Sequence, residues 1–222
     1  MSQVLLAIDT ATEAFSVALS QAMELRELFT VAPRQHASCL LPMVDDLLSE
    51  AGITMASVDA IVVTRGPGSF TGVRIGIAAA QGLALGADKG LIPVSTLQSL
   101  ALNASLEAEH SRVAALLDAR MNQVYAGAFE FQQSVGKPVI EEQVCNPTEL
   151  TLPAGDWLLA GPGADAYGEE LRVALGSDDR VAGELIDCYP SAKAALHIAR
   201  ELGTAAVAPE AIEPAYLRAA VR

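Results

Sequence analysis

The feature that most constrains the fold is a short strand ending in aspartate that occurs twice in the chain. Leu6–Asp9 and Ala115–Asp118 are both apolar, and each leads through a polar turn into a second apolar run. The two copies stay in register for about 14 residues without a gap. Any two β-hairpins align to some degree, but strand and helix patterns also follow both copies in a similar order. The pattern favours two similar α/β lobes.

The boundary between the lobes is predicted near residue 103, where a polar stretch separates the two patterns. Residues 1–103 would form the N-terminal lobe and residues 104–213 the C-terminal lobe. The tail, about residues 214–222, is expected to return to the first lobe.

Charge excludes one large class of function. The chain of 222 residues has 14 Lys and Arg against 27 Asp and Glu, a net charge of −13, and it has no basic run. Because nucleic-acid affinity comes mainly from basic side chains placed against phosphates, strong direct binding of tRNA is not expected. The chain contains no stretch of about 18 uninterrupted apolar residues, so a membrane span is not expected. The three cysteines are far apart and the N-terminus is not a signal peptide, so a cytoplasmic location is expected.

The most distinctive motif is RGPGSFTGVRIG, residues 65–76, which lies between a predicted strand and a predicted helix. A glycine-rich loop at a helix N-terminus could bind a phosphate group. Alternatively, small residues at every fourth position form a strip that lets another helix pack closely: Gly72, Gly76, Ala80 and Ala84. The spacing favours close packing, and it leaves open whether the neighbour belongs to this chain or to a partner.

The strand-terminal carboxylates Asp9 and Asp118 could hold a magnesium–nucleotide between the lobes. Aspartate also caps turns for structural reasons alone. In the second turn, Arg120 and Met121 stand where small residues would let the backbone approach a phosphate. Any nucleotide site is therefore vestigial, and its candidate members are Asp9, Thr10, Asp118, Gly161 and Gly163.

Neither a metal site nor a catalytic residue is predicted. His36 lies just before the first predicted helix, but the position four residues later, where a second ligand would lie, is Leu40. Ser69 follows Gly-Pro-Gly, which is not the nucleophile elbow of hydrolases.

Four segments together resemble one known family. They are LAIDTAT near the start, GPGSFTGVRIG, LLDARMNQVYAG, and the closing PAYLR preceded by Glu213. This combination is similar to the TsaB (YeaZ) family, bacterial proteins of the tRNA threonylcarbamoyladenosine machinery, and it spans essentially the whole chain. The resemblance implies an α/β fold of two similar actin/hexokinase-like ATPase (ASKHA, ribonuclease H-like) lobes.

The resemblance also implies a function without independent catalysis. Members of the family bind and activate the TsaD transferase, which modifies ANN-decoding tRNAs, and the TsaE ATPase joins as a third component. TsaD holds a metal with two helical histidines, and the matching positions here are His36 and Leu40. No cofactor is expected beyond ATP or ADP bound weakly or shared at an interface. The alternative is an autonomous ATPase or kinase that uses Asp9 and Asp118. A peptidase is not expected, because the sequence contains no nucleophile–base pair.

In the family, first-lobe helices bind the partner and mediate homodimerisation when the partner is missing. The resemblance therefore implies an interface on two helices of this chain. Replacing Gly76 with Leu is expected to block assembly and leave the isolated fold intact. The predicted interface residues are Leu40, Leu41, Val44, Leu47, Leu48, Gly72, Val73, Gly76, Ala80 and Ala84.

Overall fold

A mixed five-stranded sheet forms the centre of the first half of the chain. Its strand order is β3-β2-β1-β4-β5, with β1, β2 and β3 antiparallel and with β4 and β5 parallel to β1. Almost every residue of β1, β2 and β4 is buried, because helices cover both faces of the sheet. The strands are β1 Leu5–Asp9, β2 Ala14–Gln21, β3 Glu24–Val31, β4 Ala60–Thr64 and β5 Gly90–Val94.

The computed structural model describes residues 3–22, 24–132, 135–176 and 180–217. By their contacts these form two compact units. The first consists of the described residues up to Ser99 together with Pro190–Ala215, and the second of Leu100–Tyr189 with residues 216 and 217.

Within the described residues, five α-helices accompany the strands. Helix α2 is capped by the Ser69 hydroxyl, which accepts a hydrogen bond from the Gly72 N–H, and it ends at Asp88 in the left-handed conformation. The helices are α1 His36–Glu50, α2 Phe70–Ala87, α3 Thr96–Ala108, α4 Pro162–Leu175 and α5 Ala192–Leu202.

The second unit repeats the sheet of the first. Its strand order, β10-β9-β6-β7-β8, corresponds strand for strand to β5-β4-β1-β2-β3, and both hairpins are antiparallel. The repeat predicted from the two Asp-terminated strands is therefore confirmed. The sequence patterns did not identify β8 or β10. The strands are β6 Arg112–Asp118, β7 Val124–Glu130, β8 Lys137–Cys145, β9 Trp157–Ala160 and β10 Val181–Leu185.

Helix α5 differs from the sequence-based division, which assigned residues 104–213 to the second lobe. It packs on the first sheet, where the Ala192 N–H donates to the Ser16 hydroxyl at 2.8 Å and Arg200 donates to the Ser20 hydroxyl at 2.9 Å. These hydrogen bonds satisfy polar groups of the buried strand β2. The proposed boundary near residue 103 falls inside α3.

The chain from the end of α5 to Ala215 stays with the first unit. Val207 forms an antiparallel bridge with Leu91 of β5, and the Ala215 N–H donates to the Arg65 carbonyl at 2.8 Å. Residues 218–222 of the tail that was expected to return to the first lobe lie outside the described residues.

Candidate functional site

The β1–β2 turn of the first unit, residues 9–12, is covered by the start of α2. The Ser69 N–H donates to the Ala11 carbonyl at 2.8 Å, and the Thr10 hydroxyl donates to the Gly72 carbonyl at 2.8 Å. A Cβ atom on Gly68, Gly72 or Gly76 would lie closer than 3.0 Å to the turn. The glycines of the distinctive motif therefore let helix α2 touch the turn directly.

This packing corrects the interface predicted from the sequence. The small-residue strip of α2 faces its own chain, where Gly76 meets the side chain of Thr10. Leu41 of α1 is exposed, whereas the other nine predicted residues are buried within the first unit. They are Leu40, Val44, Leu47, Leu48, Gly72, Val73, Gly76, Ala80 and Ala84. They pack against β-strands and each other, so they are not available to a partner.

The opposite side of α2 is largely exposed, and apart from Thr71 and Arg74 its exposed residues are apolar. We call Phe70, Ala78, Gly82 and Leu85 the outer face of α2; the side chains of Phe70 and Leu85 are 73% and 67% exposed. A Cβ atom on Gly82 would meet nothing within 4 Å. At one end of this face the Arg74 guanidinium lies 3.4 Å from the centre of the Phe70 ring.

Asp9 lies in the covered turn and is completely buried. Burial raises the pKa of its carboxyl to about 6, against the smaller opposing effects of the nearby Thr64 hydroxyl and the Ala11 N–H. The Ala11 N–H donates to Oδ1 at 3.3 Å. Among the described residues, Oδ2 and the Thr64 hydroxyl form no hydrogen bond of standard geometry.

His36 supports the same turn from α1. Its Nε2 donates to the Thr12 carbonyl at 2.8 Å, which assigns the proton to that nitrogen, and its ring lies 4.6 Å from that of Phe15. The histidine is thus part of the packing around the turn. No group of three or more His, Cys, Asp or Glu that could hold a metal ion occurs within the described residues.

In the second unit, the Asp118 carboxylate is bound by Arg120 and Tyr167 of the same unit. Oδ1 accepts from the Arg120 N–H at 2.8 Å and from the Tyr167 hydroxyl at 3.0 Å, while Oδ2 pairs with the Arg120 guanidinium at 3.0 Å. Burial raises the pKa of Tyr167, and the hydrogen bond to Asp118 raises it further. A magnesium ion at Asp118 would have to displace these contacts.

The turn after Asp118 has an unusual backbone. Arg120, Met121 and Asn122 all have positive φ, at 63°, 56° and 56°. Non-glycine residues rarely adopt this left-handed conformation in succession. The turn is exposed, and Met121 is 80% exposed.

The glycines before α4 serve packing as those of α2 do. A Cβ atom on Gly161 would lie 2.6 Å from the Leu116 carbonyl oxygen, and one on Gly163 would lie 2.7 Å from the Leu116 carbonyl carbon. Helix α4 therefore begins against the end of β6, and this close packing accounts for both residues.

Comparison with known proteins gives the family. The family model for TsaD, tRNA N6-adenosine threonylcarbamoyltransferase, matches residues 29–211. Over its whole length, however, the chain is similar to proteins named tRNA threonylcarbamoyladenosine biosynthesis protein TsaB. The Escherichia coli K12 protein is 39% identical over 225 residues, covering 96% of this chain and 94% of that protein. The chain belongs to the TsaB family. The Haemophilus influenzae TsaB is 38% identical and covers 96% of this chain, with 93% of its own length matched.

A solved structure supports the same assignment for this TsaB-family chain. YeaZ from Pseudomonas aeruginosa is 40% identical and superposes with a TM-score of 0.90. The match covers 97% of this chain and 100% of that one. Together with the repeated strand order, this confirms an α/β fold of two similar lobes, each built on a five-stranded sheet.

Sequence reasoning missed the outer face of α2 in this TsaB-family chain, although one signal for it was present. Helix α2 is apolar over its whole length, and among the described helices it alone has the length and composition to cross a membrane. Only 33% of it is buried. A core helix of that composition should be covered on all sides, so the apolar residues beyond the glycine strip indicated a second covered face.

Proposed function

We propose that this chain is a non-catalytic partner subunit that binds and activates the TsaD transferase in threonylcarbamoyladenosine modification of ANN-decoding tRNAs. The names of its close relatives place those proteins in this pathway. The match to the TsaD family model supports a chain related to the transferase by duplication and divergence. The net charge of −13 supports a subunit that leaves the tRNA contacts to other components.

The observation that carries the proposal is the outer face of α2. The helix presents Phe70, Ala78, Gly82 and Leu85 to solvent, and its inner face is already filled by the β1–β2 turn. An apolar helix face of this kind marks a protein–protein contact. Gly82 contributes by letting a partner helix approach its backbone closely. The exposed Leu41 of α1 extends the apolar surface of the first unit.

Three sites that could carry chemistry support the absence of independent catalysis. Asp9 is buried under α2, Asp118 is occupied by Arg120 and Tyr167, and His36 is bonded to a carbonyl. Burial also raises the pKa of the Cys188 thiol to about 12, which keeps it protonated. The alternative, an autonomous ATPase or kinase, requires the purified chain alone to turn over magnesium–ATP; we expect no turnover.

The proposal has three further parts, which concern self-association, a third component and location. In the absence of the transferase, the outer face of α2 would pair with that of a second copy in a homodimer. The TsaE ATPase would join the heterodimer as a third component. The site of action would be the cytoplasm, where tRNA modification takes place.

The proposal is tested by titrating TsaD with Gly82→Arg. The Cβ atom at this position meets nothing in this chain, and arginine is a better helix former than glycine, so the fold should be as stable as before or more stable. A large charged side chain on the outer face should weaken binding at least 100-fold, measured by isothermal titration calorimetry. The matched control is Val173→Arg, an exposed apolar position on α4 of the second unit.

The two variants together separate the interface from general effects of charge. Loss of binding with Gly82→Arg and retention with Val173→Arg would support the proposal. Unchanged affinity with Gly82→Arg would exclude the outer face of α2 as the contact.

A further inference from the structure

The segment that follows α5 runs alongside α2 in the opposite direction. Val207 bridges Leu91 just beyond the C-terminal end of α2, and the Ala215 N–H donates to the Arg65 carbonyl just before its N-terminal end. Between these two points a short 3₁₀-helix, Pro209–Ala211, packs on α2. The segment therefore follows α2 from one end to the other.

The 3₁₀-helix is attached to α2 through Gln81. The Gln81 Nε2 donates to the Pro209 carbonyl at 2.9 Å and to the Ile212 carbonyl at 3.2 Å, and Ile212 is buried in the core of the first unit. Residues three and four positions apart are neighbours on a helix surface. For Gln81 these neighbours include Ala78 and Leu85, both on the outer face of α2. The 3₁₀-helix therefore borders the outer face along its C-terminal half.

Glu210 is the charged residue of this border. It is exposed, and among the described residues its carboxylate takes part in no hydrogen bond or ion pair. The two basic residues of α2 and its C-terminal end are directed elsewhere. The Arg74 guanidinium lies over the Phe70 ring, and the Lys89 Nζ donates to the Ala56 carbonyl at 3.1 Å. Glu210 is thus a solvated carboxylate beside an apolar helix face.

The outer face also allows a partner to approach closely. Ala78 and Gly82 are followed at the same spacing by Gly86, and a Cβ atom on either glycine would meet nothing within 4 Å. Because these positions hold little side-chain volume, a helix of another protein could pack near the α2 backbone. Its flanking side chains would then lie over the 3₁₀-helix, where Ala211 is also exposed. Glu210 therefore lies at the rim of the surface that such a helix would cover.

We infer that the element of TsaD docking on the outer face of α2 is a helix with a lysine or arginine at its edge, which pairs with Glu210. This inference rests on the proposed function and adds the chemistry of the partner surface to it. The long apolar stem of a basic side chain can cover apolar surface while its charged end reaches the rim. A pair at the polar rim guides association and fixes orientation more than it adds affinity.

A second copy of this chain fits the border less well. Its α2 contains a single basic residue, Arg74, and that guanidinium is already stacked on Phe70. Two copies would also each carry a net charge of −13 and repel one another. Charge complementarity thus favours a foreign helix with a basic edge.

The test is the association rate of the full chain with purified TsaD, measured by stopped-flow fluorescence at low and high salt. Glu210→Lys should slow association at least about threefold at about 20 mM salt, and by less than about 1.5-fold at about 500 mM, because salt screens a rim charge. Glu210→Gln should act in the same direction with a smaller effect. The matched control is Glu169→Lys, the same charge change at an exposed position of α4.

The outcomes separate this inference from the proposed function. Equal association rates for Glu210→Lys and Glu169→Lys, with Gly82→Arg still blocking binding, would overturn the inference alone. Unchanged binding of Gly82→Arg would overturn both. Slowing by Glu210→Lys that persists at high salt would overturn the inference, because the effect would not be electrostatic. Weaker self-association of Glu210→Lys with unchanged TsaD binding would overturn it too, because it would assign the border to a second copy.

Discussion

At the scale of single residues, glycines of similar appearance in the sequence have opposite surroundings. Gly76 and Gly82 both lie in α2, but a Cβ atom at position 76 would collide with Thr10, whereas one at position 82 would meet nothing within 4 Å. Thr10 cannot move away freely, since its hydroxyl is bonded to the Gly72 carbonyl. Position 76 is therefore fixed by packing inside the chain, and position 82 is open to a partner.

Gly76→Ala and Gly82→Ala form a matched pair that tests this difference. Gly82→Ala should raise the free energy of unfolding by about 1 kcal/mol, because alanine is the better helix former. Gly76→Ala should lower it by about 1–3 kcal/mol through overpacking against Thr10. Urea unfolding followed by far-ultraviolet circular dichroism measures both. Equal effects at the two positions would contradict the described packing of α2.

The same contact corrects the expected result for Gly76→Leu. The sequence alone suggested that this variant would lose its partner and keep its fold. Since a side chain at position 76 points into the β1–β2 turn, we expect the variant to unfold or to be strongly destabilised.

Asp9 gives a prediction about pH. Burial raises the pKa of its carboxyl from 3.8 to about 6, so folding favours the protonated form. This contribution to stability is fully present below pH 3.8 and is lost as the pH rises through about 6. The loss amounts to about 3 kcal/mol, and roughly half of it develops between pH 5 and pH 8.

Asp9→Asn removes this dependence and isolates it from other titrating groups. Relative to the unmodified chain, the variant should gain about 1–2 kcal/mol of unfolding free energy between pH 5 and pH 8, measured by urea unfolding at both values. A stability difference that stays constant over this range would mean that Asp9 ionises at its ordinary pKa.

At the scale of secondary-structure elements, α2 shows what a periodic pattern can and cannot predict. The recurrence of Gly72, Gly76, Ala80 and Ala84 correctly indicated a face for close packing. The pattern suggested a second helix as the neighbour, and this was wrong. The β1–β2 turn occupies that face, and the contact joins segments about 60 residues apart, which no local pattern indicates. Strands β8 and β10 were missed because most of their residues are only partly buried or exposed, which weakens the apolar alternation.

The backbone of the β6–β7 turn is energetically unfavourable, because three successive non-glycine residues have positive φ. Met121→Gly should raise the free energy of unfolding by about 1 kcal/mol, because glycine adopts positive φ without a steric penalty. Gln123→Gly is the control, because φ is not positive at that position. Glycine there only raises the conformational entropy of the unfolded chain, so that variant should be less stable. Fluorescence of the buried Trp157, the single tryptophan of the chain, measures both variants in the second unit. A destabilised Met121→Gly would show that the Met121 side chain contributes more than the backbone costs.

At the scale of the whole molecule, the repeat predicted most of the architecture. The repeat that begins with the strands ending at Asp9 and Asp118 indicated two similar α/β lobes, and the structure shows that their sheets have the same strand order. The assignment of α5 to the first unit could not be predicted, since it depends on hydrogen bonds to Ser16 and Ser20, which are more than 170 residues away in the chain. The candidate nucleotide residues were correctly placed at strand ends and helix starts. Their use in internal packing became visible only from the contacts.

The same view connects the charge of the chain to its proposed role. The chain has a net charge of −13, its candidate site residues Asp9, His36 and Asp118 are engaged in internal contacts, and within the described residues the outer face of α2 is broadly apolar and uncovered. Activation of the transferase would therefore proceed through that face.

The central claim is tested most directly by reconstituting tRNA threonylcarbamoylation from purified TsaD, TsaE and this chain with its substrates. Modified adenosine is then measured in the presence of the unmodified chain, Gly82→Arg or Val173→Arg. The account predicts full activity with the unmodified chain and with Val173→Arg, and a loss of at least 90% with Gly82→Arg. Full activity with Gly82→Arg, or equal activity when the chain is omitted, would contradict it.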